Sequence, residues 1–245
     1  MAYNTVIKTA DKDIGECLVS VFQNTRTPDG GHLSIPEKGE LYRQSLSEPY
    51  VMTLREFLEL GRYYQSDIAR IRSILDKSER DRLKTRILPC GSLSAQMKTR
   101  SRFAKDEQKI LKYNSLIVLD FDGLKNVERA KEELSKLPFF WYIGLSVSGT
   151  GLFGIVPIGT DDWRQHKIYF KALKEELAGY GFKVDESCSD VGRVRVISYD
   201  EHPFYNEKCS VFCLEDDGLD NSFEDDDLNG DETSPDIQEI STHDR

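Results

Sequence analysis

Two carboxylates one residue apart, Asp120 and Asp122, close the apolar run Leu116, Ile117, Val118 and Leu119 and stand just before Gly123. In an extended strand, residues i and i+2 project to the same face, so both acids leave the strand's C-terminal end in one direction. Like charges held that close are costly unless a cation lies between them. The chemistry this permits is coordination of a hard divalent ion, Mg2+ or Mn2+, which favours carboxylate oxygens. The plain alternative is a strand end running into an Asp-Gly turn. Further on, Ser146, Val147, Ser148, Gly149, Thr150 and Gly151 form a small, flexible stretch between two strand-like runs. Its hydroxyls and backbone N–H groups are of the kind that line phosphates. Alone it serves equally well as a hairpin loop; beside a carboxylate pair it suggests a metal-and-phosphate site.

The elements that must hold these groups follow from periodicity. The run 116–119 is too short for a helix and predicts a buried strand. Val127, Ala130, Leu134 and Leu137 recur at helical spacing and stop at Pro138. Residues 139–147 and 152–158 predict two strands joined as a hairpin. Asp161 and Asp162 can open a helix carrying Ile168, Phe170, Leu173 and Leu177, with Gly179 or Gly181 near its end. After a brief extended piece at 182–185, residues 193–199 alternate as a half-buried strand. The order strand, helix, strand, strand, helix, strand over about 115–200 is that of an α+β fold with a ferredoxin/RRM-like βαββαβ sheet, its helices on one side. In that topology the first and third strands lie side by side at the centre, which makes Asp185 the third carboxylate of a candidate catalytic and metal-binding set. A loop Asp with no further role is its alternative.

Upstream, residues 3–9 predict a strand and 14–22 a helix. The stretch 25–49, with Pro28, Gly30, Gly31, Pro36 and Pro49, is turn-rich and predicts an exposed loop. Thr53 and Glu56 have capping-box spacing ahead of Phe57, Leu58 and Leu60, and a second helical pattern runs through Ile68, Ile71 and Leu75. Residues 87–94, which include Pro89, predict an edge strand. The organisation expected is therefore an N-terminal segment 1–49 of strand, helix and loop, a core at 50–214, and a tail at 215–245.

The net charge of −10 is unevenly spread. Residues 215–245 hold 13 acids and a single base, a composition expected to stay disordered, whereas residues 1–214 carry a net +2. Between Arg70 and Lys112 there are 13 Lys and Arg against 5 Asp and Glu. Arg80, Arg82, Lys84 and Arg86, then Lys98, Arg100 and Arg102, are candidate nucleic-acid-binding residues, and Arg72 belongs to the same basic run. A solvated helical face is the alternative. No apolar run of membrane-spanning length and no signal peptide is seen, so a cytoplasmic protein without a membrane partner is expected. Five irregularly spaced cysteines do not form a secreted disulfide pattern.

With these motifs in hand, the chain resembles the VirE N-terminal domain family of bacterial mobile elements, which is similar to the archaeo-eukaryotic primase and primase-polymerase superfamily. The likeness rests on residues 119–122, 146–151, 184–185 and 193–200, with 87–94 in keeping, and covers about 50–206. It implies a primase-like core that joins nucleotides on a DNA or RNA template, with nucleoside triphosphates as substrates and two divalent metals held by Asp120, Asp122 and Asp185. Ser148 and Gly149 match the motif that faces the triphosphate, to which Ser146 and Gly151 belong as neighbours. Arg193 and Arg195 fall where basic residues of the family meet nucleotide or template. The family's His, two positions after the last Gly of the second motif, is Phe153 here. A phenyl ring offers no donor to a phosphate. Nucleotide binding without efficient extension is therefore expected unless Lys183, Arg193 or Arg195 supplies the contact.

Two other functions compete. One is a nucleic-acid-binding replication or mobilisation protein on the same fold without its chemistry, for which a separately encoded helicase is a candidate partner. The other is a phosphatase of the haloacid dehalogenase type, whose Asp-x-Asp strand end looks similar but whose later Lys and paired acids are not found in the expected context. Cys188, His202, Cys209 and Cys213 have zinc-ligand chemistry, but their spacings match no standard pair on both sides, and buried structural cysteines are the expectation.

Overall fold

The computed structural model describes residues 5–9, 13–27, 33–34, 41–42, 48–101 and 103–215. The acidic tail expected at 215–245 lies outside the described residues save for Glu215, as does most of the loop expected at 25–49. In chain order the first strands are β1 (Thr5–Thr9), β2 (Leu18–Phe22), β3 (Leu33–Ser34), β4 (Leu41–Tyr42) and β5 (Tyr50–Thr53). Helices α1 (Leu54–Glu59), α2 (Gln65–Ser73) and α3 (Lys77–Ile87) follow, then β6 (Cys90–Ser92), β7 (Ala95–Met97), the short α4 (Asp106–Lys109) and β8 (Ile110–Tyr113). The remainder comprises β9 (Leu116–Phe121), α5 (Val127–Ser135), β10 (Tyr142–Leu145), β11 (Leu152–Pro157), α6 (His166–Gly179), β12 (Val194–Val196), β13 (Phe204–Tyr205) and β14 (Ser210–Leu214).

Two four-stranded antiparallel sheets carry the architecture, one ordered β13-β10-β11-β9 and the other β12-β6-β2-β5. The molecule is thus a mixed α/β chain with antiparallel sheets and few helices. Alternation along β9 sets the layers. Ile117, Leu119 and Phe121 join Ala130 and Leu134 of α5 and Phe170, Leu173 and Leu177 of α6 in one core. Leu116 and Val118 face the other way, into a core shared with Val19 and Val21 of β2, Phe57 of α1, and Ile68 and Ile71 of α2. Asp120 shares that inward face, so the acid is delivered between the layers rather than to the helical side.

The capping box at Thr53 forms as its spacing requires: Glu56 N–H donates to Thr53 Oγ1 at 3.2 Å and Thr53 N–H to Glu56 Oε2 at 2.8 Å. The helices expected around 127–137 and after Asp162 are α5 and α6, the second preceded by a 3-10 turn, Trp163–Gln165, that Asp162 caps.

Three expectations are corrected. Residues 14–22 form a 3-10 turn, Ile14–Glu16, followed by β2; Val19 and Val21 against Ser20 and Phe22 obey a period of two, and β-branched residues suit a strand. The segment 87–94 is not an edge, because α3 runs to Ile87 and β6 lies between β12 and β2, with Pro89 just outside the ladder. The βαββαβ sheet is not completed as expected. β9, α5, β10 and β11 form its split βαβ half, with β11 between β9 and β10, but β12 pairs with β6 in the other sheet and β13 adds beside β10. β9 is therefore a sheet edge, met at its end by Asp185 N–H donating to Asp120 O at 3.0 Å. Alternation reveals that a strand is half-buried, not which ladder it joins. Among the described residues, no helix is long and apolar enough to cross a membrane.

Candidate functional site

A cleft of about 490 Å³ is bounded by the end of β9, the loop after β10, the end of α3 and residues 185–196. It gathers Asp120, Asp122 and Asp185 along one wall system with Ser146, Ser148, Lys84, Arg100, Arg193 and Arg195. Asp120 sits opposite Phe153 in the β9–β11 register, and its side chain is 21% exposed. The guanidinium of Arg195 pairs with Asp120 Oδ1, while the Cys188 thiol lies 3.5 Å from Oδ2. Asp122 is exposed just beyond the strand, where Gly123 turns the chain with a φ of +68°. The backbone must pass close behind it: a Cβ on Gly151 would lie 2.6 Å from Phe121 O and 3.0 Å from Asp122 Oδ1.

Asp185 caps the 3-10 turn Glu186–Ser189, accepting from Ser187 N at 3.0 Å and from Ser187 Oγ at 2.7 Å. The Ser187 hydroxyl, with help from its N–H and from Arg193, holds the Asp185 carboxyl below its ordinary pKa. The Ser-Gly loop carries a chain of hydroxyls, Ser146 Oγ to Ser148 Oγ to Thr150 Oγ1, each step 3.0 Å. Gly149 closes its turn with a φ of +73° and donates to Ser146 O at 2.9 Å.

Arg72, expected among the phosphate-facing charges, instead secures this loop. Its guanidinium donates to Val147 O at 3.2 Å, Ser146 O at 3.3 Å and Tyr199 O at 2.7 Å, and burial lowers its pKa. The other basic candidates divide by helical face. Lys84 lines the cleft and Arg80 an adjoining hollow, whereas Arg82 and Arg86 are exposed and line neither, as is Lys98. Positions two apart on a helix point to nearly opposite sides. Arg100 lines the cleft while donating to Thr25 O at 3.2 Å and lying over the Phe22 ring; Arg102 lies outside the described residues.

Arg195 is the most unusual group. Its side chain is 10% exposed, its guanidinium lies 4.1 Å over the Phe153 ring, and its Nε is buried without a partner. Burial pulls its pKa down to about 9. The cation expected near Phe153 is therefore Arg195, and Phe153 itself belongs to the core between the layers rather than to the cleft lining.

For a divalent metal the donor chemistry fits, since two carboxylates from the end of β9 and one from the turn at Asp185 line one cavity. Their present arrangement is not a closed ligand set: among the described residues no group of three or more His, Cys, Asp and Glu is placed to hold a metal ion, and Asp120 is turned onto Arg195. The zinc candidates are dispersed. Cys188 contacts Asp120, Cys209 lies in the core between the layers, and Cys213 packs near Gly159. The motifs left Asp190 unnoticed, and Lys77 counted only as one charge of the basic run. Asp190 lines the cleft and accepts from Gly192 N at 2.8 Å, a turn signalled by its Asp-x-Gly spacing. Lys77 stands one helical face with Arg80 and Lys84, a spacing visible in the sequence.

A family model described as BT4734-like, N-terminal domain matches residues 82–205, just over half of the chain, and the chain belongs to that family. This corrects the resemblance drawn from the motifs, because no VirE or primase family model matches. Short Asp-x-Asp and Ser-Gly patterns recur wherever a strand end meets a loop, so they do not separate families. No curated protein and no solved structure matches the chain.

Proposed function

We propose that this member of the BT4734-like family binds a nucleoside triphosphate with Mg2+ or Mn2+ in the cleft beside β9 and joins nucleotides on a nucleic-acid template. The observation that supports this reading is the sharing of one cavity by Asp120, Asp122 and Asp185 with the Ser146–Ser148 hydroxyls and a set of cations. The two-sheet arrangement around that cleft is, on this reading, a nucleotidyltransferase core. Four acids, with Asp190 the fourth, and the bases Lys84, Arg100, Arg193 and Arg195 balance one another in the lining. A neutral lining suits a ligand that brings its own charge balance, as a triphosphate does with two divalent ions. Bound there, such ions would stabilise the attacking and leaving oxygens of an in-line displacement.

The chain's own groups have distinct tasks. Asp120, Asp122 and Asp185 supply hard oxygen donors, and Asp185 is kept ionised by Ser187. The Ser146 and Ser148 hydroxyls and Gly151 face the triphosphate oxygens on a turn that the Gly149 N–H closes. Arg193, exposed at the mouth, meets the nucleotide or template. Arg195 releases Asp120 and turns its unsatisfied N–H groups to phosphate oxygens, an exchange of one anion for another that leaves its stacking on Phe153 in place.

A second reading, a nucleic-acid-binding protein without the chemistry, draws on the same contact: Asp120 is already neutralised by a buried guanidinium. Primer synthesis and primer extension with Mn2+ separate the two. The first reading expects product from the wild type and none from Asp120→Ala/Asp122→Ala. Synthesis that survives the double change removes the metal mechanism, and strand binding without synthesis in either protein favours the second reading.

A further inference from the structure

Beside the cleft lies a second hollow of about 370 Å³ that shares Lys84, Asp122 and Ser148 with it. The two hollows adjoin at these residues. One wall of the second hollow is α3, which contributes Lys77, Arg80 and Lys84. These positions follow i, i+3, i+7 spacing and so share one face along about 10 Å of helix, on which Asp81 pairs with Lys84 at 2.7 Å. α3 fully buries none of its residues and meets the core between the layers only through the half-buried Leu83 and Ile87, so its cationic face is left free of packing. Asp76 caps its start, accepting from Glu79 N at 2.7 Å, and Thr25 Oγ1 tethers its last turn by donating to Thr85 O at 3.1 Å.

We infer that this second hollow is the track for the sugar-phosphate backbone of a single nucleic-acid strand as it enters the cleft, with the Lys77–Arg80–Lys84 face as its phosphate contacts. The inference rests on the nucleotide-binding reading of the adjoining cleft and adds where the strand lies. Charge distinguishes the two lobes. The cleft lining is balanced, whereas the hollow sets Lys77, Arg80 and Lys84 against Asp81 and Asp122, an excess of one positive charge that complements singly charged phosphodiesters. Its lining holds no aromatic ring on which a base could stack, and its remaining polar groups are the hydroxyls of Ser148 and Thr150. A lining of cations and hydroxyls without a stacking platform binds backbone and carries no base readout. A row of cations, rather than a single one, suits successive phosphates of a strand.

The test uses the full chain and a fluorescent oligothymidylate, with affinity measured across a salt series, beside Mn2+-dependent nucleotide binding by the same proteins. Lys84 is left intact because it also lines the cleft. Lys77→Ala/Arg80→Ala is expected to make the salt slope shallower by about 1.4, two contacts at the single-strand value, while nucleotide affinity is unchanged. Arg82→Ala/Arg86→Ala, on the other side of α3, is expected to keep the wild-type slope. A wild-type slope in Lys77→Ala/Arg80→Ala overturns the track, as do equal losses in the two variants. Loss of nucleotide affinity in Lys77→Ala/Arg80→Ala also overturns it, since the hollow would then hold the nucleotide's own phosphates. Failure of the wild type to bind nucleotide with Mn2+ would remove the function proposed for the cleft, whereas the slopes would still decide the strand's path.

Discussion

Two acid–base pairs of similar composition sit on the same hairpin layer and have been completed to different degrees. Lys131 of α5 meets Asp200 at 2.8 Å with side chains 11% and 4% exposed. Asp200 also accepts from Leu145 N at 2.9 Å and His202 N at 3.0 Å, and Lys131 donates again to His202 O at 3.1 Å. These contacts tie α5 to β10 and to the turn at 200–202, and both carboxylate oxygens are engaged. Asp120 and Arg195 are paired as well, but Oδ2 has only a thiol for company and Arg195 Nε has no partner. A saturated pair is architecture; a pair with unused donors and acceptors at a cleft wall is capacity for a ligand.

The largest expected difference is in stability. Asp200→Ala strands a buried ammonium and should cost about 3–5 kcal/mol in urea unfolding. A loss under about 1 kcal/mol would place the pair with ordinary surface bridges and dissolve the contrast. The closed part of the molecule should also show itself in pH. His166 at the start of α6 is 2% exposed, with Nδ1 2.8 Å from Tyr113 OH, and burial lowers its pKa from 6.5 to about 4. Between those values the unfolded chain binds the extra proton, so the stability from the neutral ring is complete above pH 6.5 and is lost as pH falls toward 4. The change is on the order of 3 kcal/mol, and His166→Phe should flatten that part of the profile. An unaltered acid limb would show that the ring does not titrate in this window.

Arg195→Met should have the smallest effect on stability, under about 1 kcal/mol. It removes a buried charge whose hydrogen bonding is incomplete and leaves an apolar stem against Phe153. It also frees Asp120, so Mn2+ affinity measured by electron paramagnetic resonance should rise. A severe loss of stability with no gain in Mn2+ affinity would make Asp120 and Arg195 another structural pair.

Much of this was readable from residue order where one strand or one helix turn decides it. The apolar run ending in Asp120 and Asp122 forms β9, Thr53 and Glu56 form their capping box, and Asp162 caps the turn before α6. What could not be read depends on partners distant in sequence. Residues 194–196 alternate as a strand should, yet pairing with β6 rather than β9 is decided by packing, and this leaves the β9 edge to Asp185. The basic run from Arg70 was visible as charge, but counting charge does not separate Arg72, spent on loop carbonyls, from Arg80 on an open face. Arg195 reads as an exposed strand cation until Phe153, opposite Asp120, is seen beneath it.

The central claim is that the cleft takes a nucleotide together with a divalent ion through Asp120 and Asp122. Isothermal titration of a non-hydrolysable nucleoside triphosphate, with and without Mn2+, into the wild type and Asp120→Asn/Asp122→Asn measures this directly. The account predicts binding by the wild type that depends on Mn2+ and is lost in the double variant. Equal affinity without the metal, or affinity retained by the double variant, would contradict it.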